Sequence, residues 1–282
     1  MAGADAVLNC YLKRPGAVIR TLDRCRIIAR YGIGVDTIDL DAANERGIVV
    51  TNVPDYCIDE VSDHALSLAL ALARGVTLLD RRVRTGSWTP TDARPLHRIR
   101  GRTLGLVGFG RIARALAVKA AALGYHVVAT DPYVADDAVR DAGVEPLSFD
   151  ELLERADVVS MHVPLTDESH HLFGSEALAK MKPGAILVNT SRGPLVDTAA
   201  LRDALASGHL GGAALDVLEQ EPPAPDEPLL QRDDVVITPH AGFYSEESVR
   251  ELQRKAVEQV VDALAGRRPT YALNADVVGF GA

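Results

Sequence analysis

Cysteine is scarce in this chain: three residues in 282, Cys10, Cys25 and Cys57, with no Cys-x-x-Cys spacing. So odd and scattered a set argues against a disulfide framework and points to reduced, mostly buried thiols in a cytoplasmic protein. The eight histidines lack metal-ligand spacing as well, and no metal is expected. His170 and His171 in "SHHLF" sit side by side and read as a solvated turn. A surplus of positive charge is also missing. Thirty Lys and Arg against 39 Asp and Glu leave a net charge of −9, which argues against wrapping nucleic acid or lying on anionic lipid. No apolar run approaches the ~20 residues that span a bilayer. The start, "MAGADAVLNC", has neither the basic nor the apolar region of a secretory signal. There are no internal repeats and no low-complexity linker. "EQEPPAPDEP" is the one Pro-rich stretch and reads as a surface loop.

What is present is an ordinary globular balance, 47% hydrophobic and 24% charged, in a chain long enough for one large domain or two modest ones. From Arg102 to Pro239 short apolar runs alternate with amphipathic stretches. "TLGLVGF", "HVVATD", "DVVSMHV", "AILVNTS", "GGAALDV" and "DVVITPH" read as strands, about six of them. "RIARALAVKAAALG", "SFDELLERA", "SEALAKM" and "DTAALRDALASG" read as helices between them. Strands apolar throughout and separated by helices predict a parallel sheet covered on both faces, a doubly wound α/β domain of Rossmann type. Residues 1–53 hold a smaller α/β piece of strand, helix, strand, helix and strand. A long helical stretch, roughly Ile58 to Arg84, links the two, and another helix begins near Glu251. The predicted organisation is a substrate domain of residues 1–53 and 252–282 and a cofactor domain of residues 54–251, with a cleft between two lobes.

"LGLVGFGRIARAL", residues 104–116, carries the sharpest local signal. Gly108-Phe109-Gly110-Arg111-Ile112-Ala113 is the GxGxxA form of the dinucleotide fingerprint. The first glycine permits the tight turn, the second lets backbone approach a pyrophosphate, and Ala113 keeps helix and strand close. The helix start then offers free N–H groups and a positive dipole end. A second strand ends in Asp131, at the distance where an acid accepts hydrogen bonds from adenosine ribose hydroxyls and repels a 2′-phosphate. NAD is therefore the expected cofactor. The plainer reading of Asp131 is a turn residue beside Pro132.

Later strand ends carry three further polar groups: Arg192 after "AILVNTS", Asp216 and Glu221 at and after "GAALDV", and His240 after "DVVITP". An arginine's fork binds a carboxylate bidentately and polarises the adjacent carbonyl. A histidine donates a proton to a nascent alkoxide and takes it back in reverse. A glutamate beside that histidine fixes its ring and favours the imidazolium. Singly, each has a plain alternative as surface charge, loop acid or strand-end histidine; together they suit hydride transfer to a 2-oxo acid.

"GRTLGLVGFGRIA", "LVNTSRGPLVD", "GAALDVLEQEPP" and "TPHAGFYSEES" resemble the signature segments of the D-isomer-specific 2-hydroxyacid dehydrogenases, and the likeness runs from about Ala4 to the end. "RYGIGVDTIDL" and "NVPDYCIDEVSDHAL" resemble most the C-terminal-binding-protein and phosphoglycerate-dehydrogenase-like branch. The resemblance implies a Rossmann-like and a flavodoxin-like lobe and a homodimer made through the cofactor domains. It implies Arg192, Glu221 and His240 as the catalytic set. It places Gly108 to Ala113, Asp131, His162, the loop Val163, Pro164, Thr166 and Ser169, Thr190, Ser191, Asp216 and Ala241 around NAD, with Asp216 meeting the nicotinamide carboxamide. Arg30 and the backbone of Gly32, Ile33 and Gly34 would hold the substrate's carboxylate or carbonyl, and Phe243 would border the substrate. The C-terminal binding proteins carry a tryptophan at that position.

Family members usually carry another strand–helix unit before the segment matching "ADAVLNC". Either the true start lies upstream, or the smaller lobe is shortened at its N-terminus. A bare parallel edge is a pairing liability, and the expectation for a shortened form is lower stability and poorer catalysis. The leading expectation is an NAD-dependent oxidoreductase acting on a small 2-oxo or 2-hydroxy acid of D configuration. The alternative is an NAD-responsive, corepressor-like protein-binding module without significant turnover. A formate dehydrogenase-like reaction is disfavoured by Glu221, since that branch has a glutamine there.

Overall fold

The computed structural model describes residues 3–276 and Gly279, which divide into two compact units. One takes the chain up to Cys57 together with Tyr244 onward, and the other runs from Ile58 to Phe243. The smaller unit opens with β1 (Ala6–Asn9), the single turn α1 (Gly16–Ile19), β2 (Ile27–Arg30), α2 (Leu40–Glu45) and β3 (Val49–Thr51). Its three strands are all parallel, in the order β1-β2-β3. β2 is buried at every residue, which is why it reads as a continuous apolar run. Ile28 packs with Ile19, Leu22, Ile48 and Val50, while Ile27 and Ala29 face the opposite side with Val49. Asp39 starts α2 by accepting the Ala42 N–H at 2.9 Å.

The larger unit begins with α3 (Ile58–Ala73) and α4 (Val76–Arg84). The helix read over 58–84 is thus two helices. Gly75 adopts a left-handed backbone (φ 61°) and approaches Ala93 so closely that a Cβ would lie 2.7 Å from the Ala93 methyl. The apolar pattern continues through the break and conceals it. There follow β4 (Thr103–Val107), α5 (Arg111–Ala122), β5 (His126–Thr130), α6 (Asp136–Asp141), β6 (Glu145–Pro146), α7 (Phe149–Arg155), β7 (Val158–Met161), α8 (Ser175–Lys180), β8 (Ile186–Asn189), α9 (Thr198–Ala206), β9 (Gly212–Leu215) and β10 (Val235–Ile237). The sheet has seven parallel strands in the order β10-β9-β8-β7-β4-β5-β6, against about six read from the sequence. The additional one is the two-residue β6, too short to carry an apolar signal.

Leu104 and Leu106 of β4 pack under α3 and α5 with Leu68, Ala113 and Leu116, whereas Val107 faces the side covered by Leu152, Leu178 and Leu201 of α7, α8 and α9. Each fully buried leucine on these faces contributes about 2 kcal/mol by removal from water. Ser148 starts α7 with a reciprocal cap, its hydroxyl accepting the Glu151 N–H while Glu151 accepts the Ser148 N–H.

The last helix, α10 (Glu246–Leu264), packs on the smaller sheet, with Ala263 against Ile27, Ala29 and Val49. This and the segment before α3 explain why the units divide at 57/58 and 243/244 rather than at 53/54 and 251/252. Asn52 donates to the Ile33 carbonyl at 2.7 Å, and Asp55 binds Lys255 and the Tyr271 hydroxyl, so residues 52–57 stay with the smaller sheet. Ser245 caps α10 ahead of Glu246, earlier than the start read near Glu251. In the tail, Ala272 bridges to Thr51. Cys25 and Cys57 are buried and Cys10 is exposed, all as free thiols. Among the described residues, no helix is long and apolar enough to cross a membrane, and no group of three or more His, Cys, Asp or Glu side chains is placed to hold a metal ion.

Candidate active site at the carboxyl edge of the larger sheet

Because all seven strands run the same way, every loop that leaves a strand's carboxyl end emerges on one edge. Moving along that edge from β10 to β5, the chain presents His240, Asp216, Arg192, His162, the Gly108 loop and Asp131 in succession. Neighbouring strands lie about 4.8 Å apart. The strand order reverses at β4, so the Gly108 loop opens at the switch point where open α/β sheets bind ligands.

Gly108 has φ 89°, and a Cβ on it would lie 2.7 Å from the His162 carbonyl oxygen. Both the turn and the close approach therefore require glycine. Gly110 precedes α5 with no side chain capping the helix, and the space around its own missing Cβ is open to 4 Å. The first N–H groups of a 12-residue helix thus face an open cradle. Asp131 holds this loop down: one carboxylate oxygen accepts the Phe109 N–H at 2.7 Å and the other the Tyr133 N–H at 2.8 Å. Phe109, grouped with the cofactor residues by the motif, instead turns inward. Its ring is fully buried with Arg114 stacked over it, its N–H goes to Asp131 and its carbonyl accepts from Arg114. Ala113 is likewise core, while Arg111 is exposed and Ile112 half-buried.

His162, after β7, is half-buried and bonded through Nε2 to the Ser160 hydroxyl at 2.9 Å; burial pushes its pKa down to about 4. The Val163–Ser169 loop braces itself, Ser169 Oγ donating to the Pro164 carbonyl and accepting the Thr166 N–H, both at 2.8 Å. After β8, Ser191 Oγ donates to the Met161 carbonyl at 2.7 Å and Asn189 donates to the Arg192 carbonyl at 2.8 Å. Thr190 Oγ1, between them, is buried with no hydrogen-bond partner among the described residues. Arg192 Nη1 donates to the Ser191 carbonyl at 2.7 Å.

Asp216 is 3% exposed and organises the segment after β10. Its Oδ1 accepts the Thr238 hydroxyl at 2.6 Å and the Ala241 N–H at 2.8 Å, and its Oδ2 accepts the Gly242 N–H at 2.8 Å. Burial works to raise its pKa; the hydrogen bonds from His64, Thr238 and the two amides outweigh that and hold the carboxyl below its ordinary value. This clamp keeps His240 in a left-handed backbone (φ 54°), a conformation costing a non-glycine residue roughly 1–2 kcal/mol. His240 Nδ1 lies 2.8 Å from Glu221 Oε2, and Glu221 Oε1 accepts the Leu218 N–H at 3.0 Å. Glu221 thus engages the imidazole through Nδ1.

These residues fit a dinucleotide. The open helix start, the glycine pressed against β7's exit loop, and the orphaned Thr190 hydroxyl beside Arg192 are features a nicotinamide cofactor would complete. Residues 66–242 match the family model described as "D-isomer specific 2-hydroxyacid dehydrogenase, NAD binding domain". The chain belongs to the D-isomer specific 2-hydroxyacid dehydrogenase family. A glyoxylate reductase of Korarchaeum cryptofilum is 42% identical over 265 residues, covering 93% of this chain and 80% of the relative. A D-3-phosphoglycerate dehydrogenase of Mycobacterium leprae is 43% identical over 259 residues, covering 92% of this chain and 49% of the relative. The chain thus spans about half the length of that relative. Among solved structures, a D-lactate dehydrogenase from Aquifex aeolicus complexed with NAD and lactic acid superposes with a TM-score of 0.87 at 32% identity, covering 93% of this chain and 84% of that one.

In the smaller unit of this D-2-hydroxyacid dehydrogenase homologue, Arg30 ends the central strand, is 8% exposed and donates to the Tyr31 carbonyl. The loop through Gly32, Ile33 and Gly34 is fastened by the Asn52 side chain and the Val53 N–H. Phe243 is half-buried at the end of the larger unit. Three features were missed from sequence. Gly193 packs so tightly under the Leu218–Glu219 peptide that any Cβ would overlap it, which ties the Arg192 loop to the Glu221 loop. His171, left-handed at φ 52°, pairs with Glu219 at 2.7 Å rather than lying free in its turn. His64 of α3 reaches Thr238 and Asp216. It carries no distinct sequence signal, since it follows Ser62 and Asp63 at the edge of the apolar run that begins at Ala65.

Proposed function

We propose that the protein catalyses reversible hydride transfer between NAD(H) and a small 2-oxo or 2-hydroxy acid of D configuration. The observation that carries the reading is the His240–Glu221 pair, 2.8 Å apart, held on the same sheet edge as the open glycine loop and Arg192. The family, and relatives named glyoxylate reductase and D-lactate dehydrogenase, support a small 2-oxo acid.

NADH, when bound, supplies the hydride. The α5 N–H groups and Arg111 would bind its pyrophosphate, Asp131 would accept from its ribose hydroxyls, and Thr190 and Asp216 would hold the nicotinamide end. His162, Val163, Pro164, Thr166, Ser169, Ser191 and Ala241 complete the wall. Arg192 holds the substrate's carboxylate and polarises its carbonyl. Arg30 and the Gly32–Gly34 loop are assigned to the same anion, and Phe243 to the substrate's side chain. His240 gives a proton from Nε2 to the carbonyl oxygen as it becomes an alkoxide, and recovers it in the oxidative direction. Glu221 fixes the ring through Nδ1 and balances the imidazolium.

A homodimer through the cofactor domains is part of the proposal. It is supported by α4, which buries none of its own residues and leaves Val76 and Val83 exposed, and by Trp88 beyond it, 87% exposed. The direct test is NADH oxidation against a panel of glyoxylate, hydroxypyruvate and branched, aromatic, phosphorylated and phosphonate 2-oxo acids. Saturable turnover with at least one is expected; turnover with none would overturn the assignment.

A further inference from the structure

One titratable side chain reaches the site region without a part in the chemistry above. His64 projects from α3, which buries Val61, Ser62, Ala65, Leu68 and Ala69, and its ring is half-buried. Its Nε2 lies 2.9 Å from Thr238 Oγ1 and 3.3 Å from Asp216 Oδ1. The direction of these bonds can be worked out. A hydroxyl has one proton, and Thr238 gives it to the Asp216 carboxylate at 2.6 Å. Thr238 Oγ must therefore accept from His64, so the ring carries its proton on Nε2. The order of donation is His64 Nε2–H to Thr238 Oγ, Thr238 Oγ–H to Asp216 Oδ1.

Asp216 passes this restraint on. Its two oxygens accept the Ala241 and Gly242 amides, and its own carbonyl accepts the His240 N–H at 2.8 Å. A Cβ on Gly242 would stand 2.9 Å from Asp216 Oδ2 and 3.4 Å from His64 Cδ2, so ring, carboxylate and loop are in mutual contact. The His240 N–H also reaches the Thr238 carbonyl at 3.0 Å, so the backbone at φ 54° is held by Thr238 and Asp216 together.

We propose that His64 is a positioning residue for the acid–base histidine, its Nε2–H locking Thr238 and Asp216 so that the 238–242 segment holds His240 against Glu221. The proposal rests on the reading of His240 as the proton donor. Loss of the donor would leave Asp216 its Thr238 and amide partners but remove the restraint on Thr238, letting the segment relax. The cost falls on turnover, because alignment is a property of the reacting geometry, and a small displacement is worth up to about 100-fold. NADH affinity rests chiefly on the Gly108 loop and Asp131, with Asp216 and Ala241 adding only at the nicotinamide end, so it changes little.

The test compares the wild type with His64→Ala, His64→Gln and His240→Ala, using NADH and glyoxylate or the best substrate of the panel. For His64→Ala, kcat is expected to fall about 30-fold, with the NADH dissociation constant unchanged within about twofold. His64→Gln retains an N–H donor and is expected to recover to within about fivefold of wild type. A residue that only filled space would instead make both variants track their loss of thermal stability, with kcat per folded molecule intact. Full kcat in His64→Ala, or equal loss in both variants, overturns the proposal. A ¹⁵N–¹H correlation spectrum of the wild type needs no turnover: a neutral His64 protonated on Nδ1 overturns it, and an Nε2-bound proton supports it. If His240→Ala keeps its turnover, the catalytic reading of His240 falls instead, whatever His64 does.

Discussion

Glu221 uses both carboxylate oxygens within its own loop region, one on the His240 ring and one on the Leu218 amide. Glu221→Gln keeps the size and loses the charge, so the ring loses its anionic partner. The expected outcome is a fall in kcat of about 10- to 100-fold with little change in NADH KM, read by steady-state kinetics. Asp131 differs in kind. It fastens the glycine loop through Phe109 and Tyr133 and, in the proposed cofactor site, would set a negative charge against a 2′-phosphate. Asp131→Ala is expected to raise NADH KM and to narrow the ratio of kcat/KM for NADH over NADPH by about tenfold or more; a wild type that prefers NADPH would contradict the assignment. Arg192, Asp216, Glu221 and His240 were legible because strand-end polar residues stand out against apolar runs. His64 was not, because its partners lie far away in sequence and only the fold brings α3 to the end of β10. Phe109 was legible as part of a motif but not as a core side chain, since its spacing says nothing of which way the ring turns.

Elements repeat the pattern. Most of the helices and six of the seven strands of the larger sheet announce themselves through periodicity, caps and buried apolar runs. The misses occur where those signals are weak: the Gly75 break, where the apolar pattern runs on, the six-residue α6, and β6, a strand of two residues. The exit of β7 supplies a prediction at this scale. Burial holds His162 at a pKa of about 4, below the ordinary histidine value of 6.5, so the folded state favours the neutral ring. Its contribution to stability is full above pH 6.5 and is lost as pH falls from 6.5 towards 4, amounting to ~3 kcal/mol at most. His162→Gln should flatten the decline of thermal unfolding temperature over that window. An unchanged slope would show that His162 does not carry it.

The molecule as a whole is acidic and built as two α/β units, and the larger of them collects every residue of the proposed acid–base set on one edge of one parallel sheet. The proposed homodimer would cover the exposed Val83 and Trp88 on and beyond α4. Trp88→Lys is expected to shift sedimentation from about twice the chain mass to the single-chain mass at micromolar concentration; a wild type already at single-chain mass would remove the dimer from the proposal. The central claim is that His240, oriented by Glu221, exchanges the proton that accompanies hydride transfer. Its most direct measurement is stopped-flow NADH oxidation by His240→Ala beside the wild type, with NADH binding followed in the same samples. The account predicts turnover lowered by about 1,000-fold or more with NADH affinity nearly unchanged. Turnover within a few-fold of the wild type would contradict it.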